Sequence, residues 1–151
     1  MSQGVKLLLW IFGVLALGLG VGMLFQPDIS PWYEGLSKSS LTPPDYVFGV
    51  VWPILYVFIA TAGWYIFDEE TGWEKGIYVL QLLLNYSWTP VFFYYQQVGF
   101  GLLLIISLSL VTSYLVGMLY HVDSKAAILL TPYLLWIYFA TYLNYVIWYQ
   151  L

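Results

Sequence analysis

Uncharged, mainly apolar residues run in long blocks along this chain. The blocks hold 21, 22, 47 and 26 residues and follow Lys6, Asp45, Lys75 and Lys125, respectively. A membrane-spanning helix needs about 20 apolar residues to cross the hydrocarbon core. Three blocks therefore fit one span each, and the longest fits two that join at the polar, glycine-containing stretch 96–99. The pattern predicts a bundle of five transmembrane helices at about 5–25, 46–67, 76–95, 98–120 and 126–149.

Two alternatives to this bundle are weaker. A β-barrel needs short segments of alternating hydrophobicity, whereas 102–106 is continuously apolar. In lipid every backbone polar group must be satisfied internally, and helices achieve this. A secretory signal peptide is the alternative for the first block, but Gly18, Gly20 and Gly22 offer no clear cleavage site. The expected fold class is therefore an all-α membrane protein with a single domain over 1–151.

Composition and charge support a multi-pass membrane protein. Hydrophobic residues make up 62% of the chain and charged residues 8%, against about 25% charged residues in soluble domains. The net charge of −4 argues against nucleic-acid binding, which needs a basic face. The absence of cysteine excludes disulfides and thiolate nucleophiles. Three of the four lysines fall on the amino-terminal side of a five-span topology, which predicts that the amino terminus lies inside.

The longest predicted connection, 26–45, has the composition of an ordered loop. It contains Trp32, Tyr33, Leu36 and Leu41 together with four prolines. Prolines lower the entropy cost of ordering a loop, and the aromatic residues give it a surface to bury. We expect this loop to cap one end of the bundle, although anchoring of Trp32 and Tyr33 at the membrane interface would explain the same composition.

Neutral polar and aromatic residues recur at helical spacing inside the predicted spans. The three sets follow steps of three or four residues, and they are Gln81, Asn85, Trp88 and Phe92; Tyr133, Trp136, Ala140 and Asn144; and Trp52, Tyr56, Ala60 and Gly63. Each set places a flat aromatic ring near an amide or a small residue. Such faces suit a planar, mostly apolar ligand. They are equally compatible with amides that only bridge neighbouring helices.

Residues that carry acid–base or metal chemistry are missing from the predicted spans. No charged side chain lies deep in a span, which argues against an ion-coupled transporter or a proton pump. The single histidine, His121, falls at the end of a span. We therefore predict no metal site, no cofactor and no Ser-His-Asp chemistry.

Three blocks of the sequence match the pattern of a known family. The first block, 32–56, reads WYxxLxK followed by TPPxxVFGxxWxxLY. The second, 81–93, reads QLxxNxxWxPxFF, and the third, 132–144, reads PYLxWxxFATxLN. In this order and on these predicted helices, the blocks resemble the translocator protein family, which is also called the tryptophan-rich sensory protein (TspO) or peripheral benzodiazepine receptor family. The likeness covers nearly the whole chain.

The resemblance implies a five-helix membrane receptor, usually a homodimer, that binds tetrapyrroles such as protoporphyrin IX and related planar lipophilic ligands. It places the pocket among the helices beneath the first loop. The ligand contacts that it implies are Tyr33, Pro43, Trp52, Asn85, Trp88, Phe100, Trp136, Ala140 and Leu143. Some bacterial members are described as degrading protoporphyrin in light, and in that case Trp52 and Trp136 would be the catalytic residues.

The sequence departs from the family pattern at two places. An aromatic residue commonly precedes the Pro-Pro pair, whereas Lys38 is followed here by Ser39, Ser40 and Leu41. The cholesterol consensus needs a basic residue after Tyr145, and none is present in 146–151, so specific sterol binding is not predicted.

Three functions remain open from the sequence. They are a receptor or sensor for a planar lipophile, a light-dependent porphyrin-degrading enzyme, and a transporter of tetrapyrroles or lipids. We expect a homodimer in contact with membrane lipid. The short chain and the lack of a targeting peptide favour a prokaryotic cell membrane.

Overall fold

The computed structural model describes residues 1–25, 31–68 and 72–151. These residues form helices and connecting turns, with no β-strand among them, so the all-helical prediction is confirmed. The helices are α1 (Gln3–Phe25), α2 (Pro31–Glu34), α3 (Asp45–Asp68), α4 (Trp73–Thr89), α5 (Val98–Val122) and α6 (Ser124–Tyr149), and a π-helical segment (Pro90–Tyr94) continues α4.

Four of the helices, namely α1, α3, α5 and α6, are long and apolar enough to cross a membrane, with lengths of 23 to 26 residues. Their ends differ from the predicted spans by at most two residues. The prediction of five uniform α-helical spans is wrong for the third span. There the α-helix α4 has only 17 residues, and the π-helical segment adds 5 more.

Pro90 explains why the third span changes its helical form. Proline lacks a backbone N–H, so residue 90 cannot donate the hydrogen bond that an α-helix requires. The backbone widens instead, and the Tyr95 N–H donates to the Pro90 carbonyl over 2.9 Å, which is a π-type bond. Gln96 then adopts a left-handed conformation with φ of 54°. The chain reverses there and α5 begins two residues later.

The turn between α5 and α6 consists of a single residue, Asp123. Its side-chain Oδ1 accepts hydrogen bonds from the backbone N–H groups of Lys125 and Ala126, at 3.0 and 3.3 Å. This is an N-cap, which satisfies orphan donors at the start of a helix. The cap forces α5 and α6 to run antiparallel as neighbours.

One half of the bundle is solidly packed. Gly63 of α3 lies so close to Tyr78 of α4 that an added Cβ would come within 2.3 Å of the ring. The Tyr78 hydroxyl donates to the Ile59 carbonyl over 2.8 Å. On α1, the Trp10 indole donates to the Ala60 carbonyl over 2.8 Å. Close approach at small residues and hydrogen bonds between helices are how helices associate in lipid, where the hydrophobic effect does not drive them together.

The segment that follows α1 covers the other half of the bundle. The first five residues of the predicted ordered loop 26–45 lie outside the described residues. From residue 31 onward, the short helix α2 buries Tyr33, whose ring packs 5.3 Å from that of Phe93. The Lys38 ammonium donates to the carbonyl of Tyr33 over 2.6 Å and lies over the Tyr33 ring. This segment, 31–44, is called the cap below.

Candidate functional site

A cavity of about 390 Å³ lies in the half of the bundle beneath the cap. It receives side chains from the second half of α1, the first half of α3, the end of α4 with the π-helical segment, the first half of α5 and the second half of α6. Consecutive helices run in opposite directions, so these portions all belong to one end of the bundle. The volume falls within the range of about 300–1,000 Å³ that is typical of small-molecule pockets.

Aromatic rings form much of the cavity wall. Trp88 stacks on Phe92 with ring centroids 4.9 Å apart and an interplanar angle of 19°. Trp52 lies 5.5 Å from the ring of Tyr56, and Trp136 contributes a third indole from α6. Flat aromatic faces of this kind bind planar ligands through stacking. The π-helical segment contributes two adjacent rings, Phe92 and Phe93, to the cavity wall.

Small residues create the space between these rings. Gly18, Gly22 and Ala140 line the cavity, and larger side chains at these positions would fill it. A Cβ on Gly18 would lie 2.4 Å from Cζ of Tyr56, whereas a Cβ on Gly22 would meet nothing within 4 Å. Gly18 therefore permits close contact of α1 with α3, and Gly22 leaves open volume.

A buried chain of hydrogen bonds forms the polar floor of the cavity. The Tyr56 hydroxyl donates to Asn85 Oδ1, the Asn85 amide donates to the Tyr133 hydroxyl, and that hydroxyl donates to Gln81 Oε1, each over 2.9 Å. Tyr56 and Asn85 line the cavity, while Gln81 and Tyr133 are fully buried beneath it. The chain links α3, α4 and α6, and it holds the Asn85 amide in one orientation.

Two indole N–H groups of the cavity wall differ in their hydrogen bonding. Trp88 donates to Asn144 Oδ1 over 3.0 Å, so its N–H is already satisfied. The Trp136 N–H is buried and has no hydrogen-bond partner in the described part of the chain. An unsatisfied buried donor costs about 1–3 kcal/mol.

The structure brings most of the predicted contact residues together. Seven of the nine line the cavity, and they are Tyr33, Trp52, Asn85, Trp88, Trp136, Ala140 and Leu143. The other two lie outside it. Pro43 is partly buried in the cap without reaching the cavity, and Phe100 points its side chain outward with 65% of its surface exposed. Their part in ligand binding stays a prediction from the family resemblance alone.

Several lining residues were not among the predicted contacts. Tyr56 and Asn144 belong to the periodic faces seen in the sequence, so their positions could have been proposed from spacing. The GxxxG spacing of Gly18 and Gly22 predicts close helix packing rather than a ligand site. Asp45 carried no signal beyond its place after two prolines, and it is the only charged residue among the described ones that line the cavity.

The electrostatics at the cavity mouth are set by Asp45 and Tyr33. Burial, and secondarily the negative charge of Asp45, raise the pKa of the Tyr33 phenol above its ordinary value. Tyr33 therefore stays neutral at physiological pH and can act as a hydrogen-bond donor. Within the described ranges, no group of three or more His, Cys, Asp or Glu side chains is placed to hold a metal ion.

Comparison with known proteins identifies the family. The sequence model of the TspO/MBR family matches residues 10–149. The tryptophan-rich protein TspO of Archaeoglobus fulgidus is 37% identical over 147 residues, which cover 95% of each chain. The human translocator protein is 37% identical over 140 residues, covering 88% of this chain and 83% of the human one. The tryptophan-rich sensory protein of Cereibacter sphaeroides is 33% identical over 125 residues, covering 82% and 78% respectively. With four apolar helices long enough to cross a bilayer and a family match over nearly its whole length, this chain is an integral membrane protein that belongs to the TspO/MBR family.

Proposed function

We propose that this protein is a five-span membrane receptor that binds a tetrapyrrole or a related planar lipophile in the cavity beneath the cap. The observation that carries the proposal is the cavity wall, in which the indoles of Trp52, Trp88 and Trp136 surround a space of about 390 Å³. Glycine and alanine keep the space open between these rings. A flat ring system would contact indole faces on several sides and gain the stacking energy that such pairs provide.

The fifth span of the proposed topology is α4 together with the π-helical segment. The 17 α-helical and 5 π-helical residues run roughly 30 Å, which matches the thickness of the hydrocarbon core. The π-helical segment belongs to the end of the bundle that contains the cavity. Non-standard helical turns of this kind often occur at functional sites.

Names of the relatives are consistent with a ligand-binding role. One relative is named a sensory protein and another a translocator protein.

The direct test is a titration of the purified protein with protoporphyrin IX in darkness, followed by the shift of porphyrin absorbance. We expect Trp136→Phe, which replaces an indole of the cavity wall by a smaller ring, to weaken binding about three- to tenfold through lost stacking. Trp73→Phe is the matched control, because Trp73 lies at the start of α4, away from the cavity, with 55% of its surface exposed. Equal affinity of the Trp136 and Trp73 variants would refute the assignment of this cavity.

A photo-oxidative enzyme is the second candidate for the same cavity. Electron-rich side chains lie in contact at its wall and floor, where Trp52 packs against both Tyr56 and Tyr133 with ring centroids 5.5 and 6.5 Å apart. In the candidate reaction dissolved oxygen is the oxidant: it accepts electrons from the light-excited porphyrin and is incorporated into the opened ring, while these side chains relay electrons between the two. This candidate predicts loss of porphyrin absorbance under light and air that slows in Trp52→Phe. Loss no faster than that of free porphyrin in detergent would exclude it.

A further inference from the structure

The rim of the cavity carries a negative charge, that of Asp45. Asp45 is the first residue of α3, it is exposed, and it lines the cavity mouth beside Tyr33. Its carboxylate forms no ion pair with any residue that the structure describes. Of the side chains that line the cavity within the described ranges, all the others are uncharged.

The positive charges of the chain lie elsewhere. All four lysines fall in the described residues and the chain has no arginine, so the position of every lysine ammonium is known. Lys75 and Lys125 lie over the rings of Phe67 and Tyr65, at the end of α3 opposite to Asp45. Lys6 lies at the start of α1, which is also at that opposite end.

Lys38 is the one cation near the cap, and its ammonium is already engaged. It donates to the carbonyls of Tyr33 and Glu34 over 2.6 and 3.2 Å, and it lies 4.5 Å from the centre of the Tyr33 ring. It does not line the cavity. An anionic group at the rim would therefore meet Asp45 with no free cation within the cavity to offset the repulsion.

The helix α3 would otherwise favour an anion at this place. The amino terminus of a helix carries partial positive charge and unpaired N–H groups, and it commonly binds phosphate or carboxylate. At the amino terminus of α3, however, the anion is a side chain of the protein, the carboxylate of Asp45. Its negative charge opposes the partial positive charge of the helix terminus.

We propose that Asp45 selects ligands by charge: a flat lipophilic ring whose rim-facing edge carries an ammonium or another N–H donor binds in preference to the same ring carrying carboxylates. This inference rests on the proposed function and narrows its ligand class. The apolar cavity binds the ring, and the charge at the rim discriminates between the substituents of the ring. An exposed ion pair is weak, so we expect discrimination of about two- to fivefold for each charge.

Three probes with one ring test this inference. They are protoporphyrin IX with its two carboxylates, its neutral dimethyl ester, and its diamide with ammonium-ended arms. Each is titrated in darkness against the parent and against Asp45→Asn, and the ratio of the two dissociation constants is taken for each probe. The ratio cancels differences in size and solubility among the probes.

We expect Asp45→Asn to weaken the ammonium probe about two- to fivefold, to strengthen the carboxylate probe by a similar factor, and to leave the ester unchanged. Asp45→Lys should enlarge both changes in the same directions. Raising the salt concentration from about 50 mM to about 500 mM should shrink them, because rim charges are screened. Glu34→Gln is the matched control, since it removes an exposed carboxylate of the cap that does not line the cavity.

The outcomes separate the two proposals. If the ester binds but the ratio of the dissociation constants of Asp45→Asn and the parent is the same for all three probes, Asp45 only stabilises its helix. In that case charge selection is overturned and the receptor proposal stands. If the parent prefers the carboxylate probe and Lys38→Gln abolishes that preference, Lys38 rather than Asp45 reads the charge, and the inference is overturned. If no probe binds to the parent, the receptor proposal fails and the inference fails with it.

Discussion

Among the glycines of α1, Gly18 is the one at which an added Cβ would clash with a side chain of another helix. A Cβ at residue 18 would lie 2.4, 2.5 and 2.8 Å from three atoms of the Tyr56 ring. Ordinary carbon contacts need about 3.5–4.0 Å, so the ring or the helix must move by about 1 Å. The ring cannot move freely, because the Tyr56 hydroxyl is bonded to Asn85 over 2.9 Å and its face packs against Trp52.

The expected change in the stability of Gly18→Ala is the sum of two opposing contributions. Overpacking of a rigid site costs about 1–3 kcal/mol, whereas replacing glycine by alanine inside a helix gains about 1 kcal/mol. Gly20→Ala isolates the second term, since a Cβ on Gly20 would meet nothing within 4 Å and the residue lies on the same helix. We therefore expect Gly18→Ala to be less stable than Gly20→Ala by about 1–3 kcal/mol.

Thermal unfolding in detergent, followed by helical circular dichroism, measures this difference. A stability change of 1 kcal/mol corresponds to about 2–4 °C for a chain of this size, so the two alanine variants should differ by about 2–12 °C. Binding of the neutral porphyrin ester should also weaken in Gly18→Ala, because displacement of Tyr56 alters the cavity floor. Equal melting temperatures for the two variants would refute the close contact of α1 with α3.

Four further predictions follow from other parts of the structure. Gly22→Leu should lower porphyrin affinity at least about tenfold with little change in melting temperature, because a Cβ there would meet nothing within 4 Å and the longer side chain takes up cavity volume; unchanged affinity would place the ligand elsewhere. Asn85→Leu leaves the hydroxyls of Tyr56 and Tyr133 without their shared amide, and it should cost about 1–3 kcal/mol in thermal unfolding. Phe100→Ala should bind the porphyrin ester like the parent, since this side chain points outward, and a clear loss would favour the contact that the family resemblance implies. Asp123→Ala removes the cap of α6 and should lower stability by about 1 kcal/mol, whereas Asp123→Asn should retain most of it.

The helices and a substantial part of the cavity wall could be predicted from the order of residues. Long apolar blocks must form helices in lipid because their backbone groups have no other partner. The spacing of Trp52, Asn85, Trp88 and Trp136 places them on the faces of their helices that turn out to line the cavity. These are local properties, since hydropathy and helical period depend only on residues near one another in the chain.

Other features depend on how the helices meet. Phe100 stands at a contact position where the family often has tryptophan, but it points away from the cavity, because its direction depends on the rotation of α5 against its neighbours. Gly18 and Gly22 lie one helical turn apart on α1, yet Gly18 permits a close contact with Tyr56 and Gly22 leaves a void. Helical period determines which residues share a face. It does not determine how far apart two helices lie or which side chain from another helix fills the gap, since those depend on atoms that are distant in sequence and come together only when the bundle packs.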